Sequence, residues 1–309
     1  MKNILVSGLI SIETNVKIDK FPIKYSPVEY NFFGTNTAIS GVGFNVIKAI
    51  KTLGGNPVFF SITGNDLFKN IIKDELKKIG IDDSFVLPLV NQTSQSIIFF
   101  NEYKRKIILD LKNIQETKYP AENINKIINE IDIAILCNIN FSREMLKIVK
   151  DHGKIIATDV HVLDNLNDEY NKDFIYYSDI LFLSNENIKG NEQNFLTELV
   201  KAYNHKIIVI SMGENGLLIF TREDIKIKHY PAIRTRDVVN TIGAGDALFS
   251  AFIYFYNKTK NAHYSIEKAI IFASYKIGES GGAEGFLSEE ELLIEQKSIE
   301  NSCGFALTN

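Results

Sequence analysis

Short apolar runs alternate with longer segments of helical periodicity along most of this chain. The runs lack polar alternation, which is typical of buried strands, and they are Ile4–Ser7, Pro57–Ile62, Ile131–Cys137, Lys154–Thr158, Ile180–Leu183 and Lys206–Met212. Between them lie helical patterns at Val42–Leu53, Asp66–Ile79, Arg143–His152 and Phe195–Tyr203. Buried strands separated by helices predict a mostly parallel central sheet covered on both faces, so we expect a three-layer αβα sandwich.

Two segments depart from this alternation, at about residues 12–36 and 93–111. The first contains two prolines and several aromatic residues, and the second has the pattern of a hairpin, with strands Ser96–Phe100 and Ile107–Leu111 around a polar turn at Asn101–Lys106. Neither segment precedes a helix as a strand of a parallel sheet would, so they are candidates to pair as a small β-sheet lid. Ordinary surface hairpins would show the same pattern. Without a linker or repeat, residues 1–309 are expected to form a single domain.

Composition and charge narrow the function classes. Hydrophobic residues make up 45% of the chain, and 34 Lys and Arg against 38 Asp and Glu give a net charge of −4. Nucleic acid is not expected as a partner because phosphate-backbone binding needs clustered positive charge. Neither a signal peptide nor an apolar run of membrane-spanning length is evident, and Cys137 and Cys303 match no metal spacing, so a reduced, cytoplasmic protein without membrane association is expected.

The run Asn240-Thr241-Ile242-Gly243-Ala244-Gly245-Asp246 precedes an apolar helical pattern at residues 247–253. A helix start offers unpaired N–H groups and the positive end of a dipole, and glycines let a phosphate approach them closely. A carboxylate in the same turn can accept the proton of an attacking hydroxyl group. Asp246 is expected to stay ionised because the dipole favours its anion. This combination predicts a kinase.

A second glycine cluster, Gly41-Val42-Gly43, also opens a helical pattern. It could be half of a dinucleotide-binding fingerprint, but Val46 takes the position of the third glycine and no clear strand comes directly before it. Close helix packing through small residues explains the same cluster. A dinucleotide-dependent enzyme is therefore a weaker alternative, and the absence of a Gly-Lys-Ser/Thr motif argues against a P-loop kinase.

Together, the two clusters resemble the signatures of the PfkB (ribokinase-like) family of ATP-dependent carbohydrate kinases. Residues 240–253 match the family's C-terminal signature, and Ser40–Asn45 with Gly64-Asn65-Asp66 is similar to its N-terminal signature. Gly8, Ser184-Asn185-Glu186 and the turn at residues 211–216 extend the resemblance, in order, over nearly the whole chain. The resemblance implies a ribokinase-like fold with a β lid over the sugar site.

The resemblance also assigns roles to individual residues. It implies that Asp246 is the catalytic base and that the N–H groups of Gly243, Ala244 and Gly245 form an anion hole. The implied contacts with substrate hydroxyl groups come from Glu13, Gly41, Gly43 and Asn45. The implied nucleotide contacts come from Thr241, Ser211, Gly213, Gly216 and an adenine-pocket loop at Gly282-Ala283, with Asn185 near the phosphates and Mg²⁺.

Two positions depart from the family pattern. Ile188 stands where the family usually has a glutamate after Asn185, and Glu186 is expected to point elsewhere, so magnesium dependence could differ. Asn240 replaces an aspartate of a monovalent-cation site, where its side-chain oxygen can still coordinate K⁺. The five histidines show no metal spacing and are interpreted as surface or loop residues, although His161 follows a predicted strand end on the nucleotide side.

The leading hypothesis is a kinase that transfers the γ-phosphate of MgATP to a hydroxyl group of a sugar or nucleoside. Ribose, a ketohexose and a pseudouridine-like nucleoside stay open, since Tyr30, Phe32 and Phe33 could stack on a base or pack the lid or a dimer contact. Few arginines near the expected pocket disfavour a doubly charged sugar phosphate. The alternative is a catalytically silent regulatory protein on the same fold that binds a sugar or a nucleotide. Because lid strands in this family often pair across subunits, a homodimer is expected.

Overall fold

The computed structural model describes residues 3–101 and 104–303. Glu102 and Tyr103, in the predicted turn Asn101–Lys106, lie outside the described residues. The strands are β1 (Asn3–Ser7), β2 (Ser11–Lys17), β3 (Thr35–Ser40), β4 (Pro57–Gly64), β5 (Val86–Val90), β6 (Gln95–Phe100), β7 (Arg105–Asp110), β8 (Ile131–Leu136), β9 (Ile155–Val162), β10 (Ile180–Ser184), β11 (Ile207–Ser211), β12 (Leu217–Thr221) and β13 (Lys226–Tyr230). The α-helices are α1 (Val42–Thr52), α2 (Phe68–Lys78), α3 (Asn140–Asp151), α4 (Lys172–Tyr177), α5 (Glu192–Ala202), α6 (Ala244–Thr259), α7 (Ala262–Lys276) and α8 (Glu289–Cys303).

The larger sheet has the order β13-β12-β11-β10-β9-β8-β1-β4-β5. Its pairs are parallel from β5 to β11, and β12 and β13 add an antiparallel hairpin at one edge. The mostly parallel α/β fold is therefore confirmed, and each of the six predicted strands is present. The pattern missed β5, β12 and β13. The first contains Pro88, and the hairpin carries polar residues that interrupt an apolar run.

Two hydrophobic cores lie on opposite faces of this sheet. Along β1, Ile4 and Val6 pack into a core shared with α1, α6 and α7, whereas Leu5 packs into a core shared with α3 and α5. This alternation is the two-residue period of a strand buried on both faces. The fold is therefore the predicted three-layer αβα sandwich.

The remaining strands form a separate lid sheet with the order β3-β2-β6-β7. Glu13 of β2 lies opposite Ala38 of the antiparallel strand β3 and opposite Ser96 of the parallel strand β6. The two predicted excursions thus pair with each other, and the first extends to Ser40, directly ahead of α1. None of the helices within residues 3–101 and 104–303 combines the length and the apolar character that a membrane crossing requires.

Candidate active site

A cavity of about 1260 Å³ lies between the lid sheet and the carboxyl ends of the parallel strands. Asp159 and His161 line it from the end of β9, and Ser184 and Ser211 line it from the ends of β10 and β11. The start of α6 forms another part of its wall. This is where open α/β sheets bind ligands, because loops that follow parallel strands converge at one edge.

Helix α6 begins with an unusual backbone conformation. Gly243, its N-cap, has a left-handed φ of 73°, which favours glycine. A Cβ atom at this position would lie 2.3 Å from the carbonyl oxygen of Gly282. Both backbone conformation and contact therefore require glycine here, and α6 starts directly against the loop that carries Gly282.

The predicted anion-hole residues Gly243, Ala244 and Gly245 all line the cavity. The N–H of Ala244 donates a long hydrogen bond of 3.3 Å to the carbonyl oxygen of Thr241. Within the described ranges, the N–H groups of Gly243 and Gly245 have no protein acceptor. Unpaired N–H groups at a helix N-terminus are suited to bind an anion in the cavity.

Asp246 lies in the first turn of α6 and faces the cavity. Its Oδ2 accepts a hydrogen bond of 2.7 Å from the Asn45 side-chain amide, and Asn45 Oδ1 accepts one of 3.2 Å from the Ser40 hydroxyl. Because Ser40 ends lid strand β3 and Asn45 lies in α1, this relay connects the lid to the carboxylate. Asn45, predicted as a substrate residue, thus orients Asp246 as well as lining the cavity.

The protonation of Asp246 reflects opposing influences. Burial raises the pKa of its carboxyl group, and the nearby Asp159 acts in the same direction. His161, the hydrogen bond from Asn45 and Lys276 lower the pKa, but the net shift is upward. The helix dipole was expected to favour the anion, and burial outweighs it. Asp246 is thus a stronger base than an ordinary aspartate.

His161 was interpreted as a surface or loop histidine at a strand end; its side chain is 40% exposed, but that exposed side faces the cavity. It lies in β9, lines the cavity and has a left-handed φ of 61°. The backbone N–H of His161 donates a 2.8 Å hydrogen bond to the Asp159 carboxylate. A non-glycine residue with positive φ next to a cavity is a frequent sign of function.

The lid sheet presents polar groups to the cavity from one face of β2. Ser11 and Glu13, two residues apart, both line the cavity and are almost fully buried. The Asn15 amide donates a 2.9 Å hydrogen bond to Glu13 Oε1, whereas the buried hydroxyl of Ser11 has no partner in the described chain. Buried polar groups normally have partners, so these two side chains are suited to bind ligand hydroxyl groups. Sequence reasoning found Glu13 and missed Ser11.

The glycines of the second cluster have different roles. Gly41 lines the cavity with a φ of 103°, and a Cβ there would lie 2.7 Å from the Leu9 carbonyl oxygen. Gly43 was predicted to bind substrate, but it is buried against Gly8, whose carbonyl carbon lies 2.5 Å from where a Cβ would be. The cluster also follows lid strand β3 rather than a strand of the parallel sheet. This context disfavours the dinucleotide interpretation.

The predicted nucleotide side is partly assembled as expected. Thr241, Ser211, Gly213 and Gly216 line the cavity. The assignment of Gly282 and Ala283 to an adenine pocket is not borne out: both are buried, and Gly282 packs behind the anion hole against Ser40, Asn45 and Gly243. An apolar wall that sequence reasoning missed extends the cavity instead, formed by Ile233, Val238, Ile270, Ala273 and Ile277. These residues are far apart in sequence, and no local pattern marks them.

Asn185 lies just behind the cavity wall. Its amide donates a 2.7 Å hydrogen bond to Glu192 at the start of α5, while Ile188 is buried in the core. Glu186 was expected to point elsewhere, but it lines the cavity. Within the described chain, no three His, Cys, Asp or Glu side chains are close enough to hold a metal ion together. Mg²⁺ that arrives on nucleotide phosphates needs only one or two protein carboxylates, which Glu186 and Asp159 can supply.

The side-chain oxygen of Asn240, the predicted potassium ligand, is already hydrogen-bonded within its own turn. Asn240 Oδ1 accepts a 3.0 Å hydrogen bond from the N–H of Ile242.

The fully buried Lys276 donates hydrogen bonds to the carbonyl oxygens of Ile242 and Gly281, the latter at 2.6 Å. Burial lowers the pKa of Lys276 to about 8, against the influence of the Asp246 and Glu13 carboxylates.

Tyr30, Phe32 and Phe33 are more than 80% exposed and lie outside the cavity. In the described chain, no phenylalanine or tyrosine lines the cavity, so the structure does not bear out the idea of these lid aromatics stacking on a base. Arg105 of β7 does line the cavity, although few arginines were expected there.

Comparisons with known proteins agree with this geometry. The sequence model for the pfkB family carbohydrate kinases matches residues 1–289. The bifunctional protein HldE of Campylobacter fetus is 24% identical over 96% of this chain, and the chain spans 68% of that protein's length. The structure of a microbiome-derived acarbose kinase, Mak1, has a TM-score of 0.86 at 21% identity and covers 96% of this chain and 99% of its own. Ribokinase of Arabidopsis thaliana, solved with ribose and ATP, has a TM-score of 0.79 at 18% identity over 96% and 99% of the two chains. These structural likenesses show a shared fold.

The start of α6 provides a test of the Gly243 contact. Gly243→Ala should destabilise the protein because the new methyl group meets the Gly282 carbonyl as well as requiring a left-handed alanine. The matched control is Gly153→Ala, where φ is 66° and no heavy atom lies within 4 Å of the new methyl group. Urea unfolding should show about 1–2 kcal/mol lost in the control and about 1–3 kcal/mol more in Gly243→Ala. Equal losses would contradict the contact.

Proposed function

This chain belongs to the pfkB family of carbohydrate kinases, and we propose that it transfers the γ-phosphoryl group of ATP to a hydroxyl group of a sugar. Asp246 is the general base, and the N–H groups of Gly243 to Gly245 are the anion hole. One observation carries this assignment: a partly buried carboxylate and unpaired helix N–H groups share one turn at the wall of a cavity that the lid covers.

The transfer would use groups from both the lid and the start of α6. Lid groups such as Glu13 and Ser11 hold the acceptor, and its reacting hydroxyl gives its proton to Asp246 as the new oxygen–phosphorus bond forms. The bond from γ-phosphorus to the bridging oxygen breaks, and ADP leaves with that electron pair. The helix N–H groups and the α6 dipole stabilise the charge on the transferred group. Mg²⁺ bound to the phosphates would neutralise part of their charge beside Glu186 and Asp159.

The cavity favours a sugar over a nucleoside as the acceptor. Its lid side offers hydroxyl, carboxylate and aliphatic groups from Ser11, Glu13, Ser96 and Ile98, without an aromatic platform in the described chain. The apolar wall formed by residues such as Ile233 and Ile277 comes from outside the lid sheet and suits an adenine ring. The likeness to a ribokinase solved with ribose and ATP supports this arrangement. Arg105 also provides one positive charge for an acidic acceptor.

A catalytically silent binding protein is the rival to this proposal. Two residues that depart from the family pattern, Ile188 and Asn240, are the observations in its favour. The intact turn at Gly243–Asp246 argues against it, as does the raised pKa of Asp246, because a binding protein has no need of a carboxylate with a raised pKa at the cavity wall.

Asp246→Asn is expected to abolish turnover while preserving nucleotide binding. Loss of the base should lower kcat by about 100- to 10,000-fold. Turnover is measured as ADP release with a panel of pentoses including ribose, hexoses including ketohexoses, sugar phosphates and nucleosides. Asp151→Asn, on the exposed face of α3, is the matched control and should keep full activity. If the unaltered protein binds ATP and a sugar but turns over none of the panel, the silent rival is correct.

The pH profile should reveal the burial of Asp246. Since its pKa is raised, the active anion is lost as pH falls through a value above that of an ordinary aspartate. His161→Ala should move this acidic limb of kcat to still higher pH, because a protonated His161 lowers the pKa of Asp246. His152→Ala, at the exposed end of α3, should leave the limb in place. An acidic limb that stays at the same pH in His161→Ala would exclude the electrostatic effect of His161 on Asp246.

We also propose that two chains pair through their lid sheets. Ile97 and Ile108, opposite each other on β6 and β7, are 40% and 47% exposed. The exposed aromatic residues Tyr30, Phe32 and Phe33 belong to the other lid excursion, at about residues 12–36. Apolar surface of this kind on an edge of a small sheet is typical of an interface.

Light scattering should give the mass of two chains for the unaltered protein. Ile108→Lys should give the mass of one chain at the same concentration, since a charge would be buried in the interface. Ile225→Lys, which places the same charge on the more exposed turn after β12, should remain a dimer. A single-chain mass for the unaltered protein would refute pairing.

A further inference from the structure

Lys276 is the last residue of α7, and its side chain is fully buried. Its ammonium group donates to the carbonyl oxygens of Ile242 and Gly281. Burying an ammonium group costs free energy unless the group is paired. Here the two carbonyl dipoles and the negative charges of Asp246, Glu13 and Glu284 favour the charged form of Lys276, whereas Arg105 disfavours it. This lysine is not part of the family resemblance in the sequence, and its position behind the anion hole needs an explanation.

The two carbonyl groups come from the two loops that meet behind the anion hole. Gly281 precedes Gly282, whose carbonyl oxygen contacts Gly243, and Ile242 precedes Gly243 itself. One ammonium group therefore ties the Gly281–Gly282 loop to the start of α6. The proton acceptor Asp246 lies in the first turn of that helix and is close enough for Lys276 to lower its pKa.

The hydrogen bond to Ile242 also sets the direction of an N–H group. In a planar trans peptide the C=O of Ile242 and the N–H of Gly243 point in opposite directions. When the carbonyl group turns toward Lys276, the N–H of Gly243 turns away from it. This N–H has no acceptor in the described protein, and Gly243 lines the cavity. Lys276 thus aims one donor of the anion hole without contacting the substrate.

The same contacts leave a potassium ion without its ligands. The family resemblance implied a monovalent cation near Asn240, and such ions are held by carbonyl and side-chain oxygens. Here Asn240 Oδ1 accepts from the Ile242 N–H, and the Ile242 and Gly281 carbonyl groups are already bound to an ammonium. The residues present therefore do not fit K⁺.

We propose that the ammonium group of Lys276 is a built-in monovalent cation that orients the anion hole and makes phosphoryl transfer independent of added potassium. Lys276 is a positioning residue, because it acts through the Ile242–Gly243 peptide. The proposal rests on the proposed kinase function for its turnover readout, and a second readout below does not need turnover.

The experiment compares choline, potassium and ammonium chlorides at equal ionic strength. The unaltered protein should show the same kcat in all three salts. Lys276→Ala should lose about 100-fold in kcat in choline, the cost of one anion-hole donor, with the KM for the acceptor unchanged. Ammonium or potassium should restore part of this loss, because the variant opens a space lined by the same carbonyl oxygens. Lys276→Met fills that space without a charge and should stay slow in every salt.

Lys268→Met is the matched control, since Lys268 is a second buried lysine of α7 whose ammonium binds Gln296 away from the cavity. It should behave as the unaltered protein in all salts. Thermal unfolding gives the readout that is independent of turnover: potassium or ammonium should raise the midpoint of Lys276→Ala relative to choline, but not that of the unaltered protein or Lys268→Met.

Either of two results would overturn the proposal. One is potassium stimulation of the unaltered protein, in kcat or in the unfolding midpoint, which would show a separate cation site. The other is full activity of Lys276→Met in choline. If the lysine variants fail to fold, the salt response of the unaltered protein still decides between a built-in and an added cation. If the protein shows no turnover, the comparison of unfolding midpoints in the three salts tests the proposal by itself.

Discussion

The left-handed backbone of Gly243 lets helix α6 begin in contact with the Gly281–Gly282 loop, and the rest of the site is arranged around that contact. It frees N–H groups at the helix start and places Asp246 in the same first turn, facing the same cavity. It also brings the Ile242 carbonyl within reach of Lys276. A side chain at residue 243 would separate the two loops and misplace each of these groups together.

Opposite charges in this enclosed region depend on each other. Asp246 is partly buried, which raises its pKa, and Lys276 is fully buried, which lowers its own. Each ion partly offsets the cost of burying the other, and neither is neutralised by a direct ion pair in the described chain. The carboxylate remains available to a ligand because the lysine is held by carbonyl groups instead.

The sequence predicted those parts of the fold and site that depend on local patterns. The apolar runs gave the parallel sheet, and the glycine-rich turn gave Gly243–Gly245 and Asp246, because backbone freedom and a helix start are both local properties. Residues that meet only through tertiary structure were missed: Ser11 on the lid, the apolar wall around Ile233 and Ile277, and Lys276. Gly282 and Gly43 were misassigned for the same reason, since a glycine that lines a ligand and one that packs against a backbone look alike in sequence.

The hydrogen-bonded series Ser40, Asn45 and Asp246 joins the lid sheet to the carboxylate at the start of α6. Ser40 ends a lid strand that leads directly into α1, so the position of the lid and the orientation of the Asp246 carboxylate are linked. Any displacement of this strand would be transmitted to the carboxylate through the Asn45 amide.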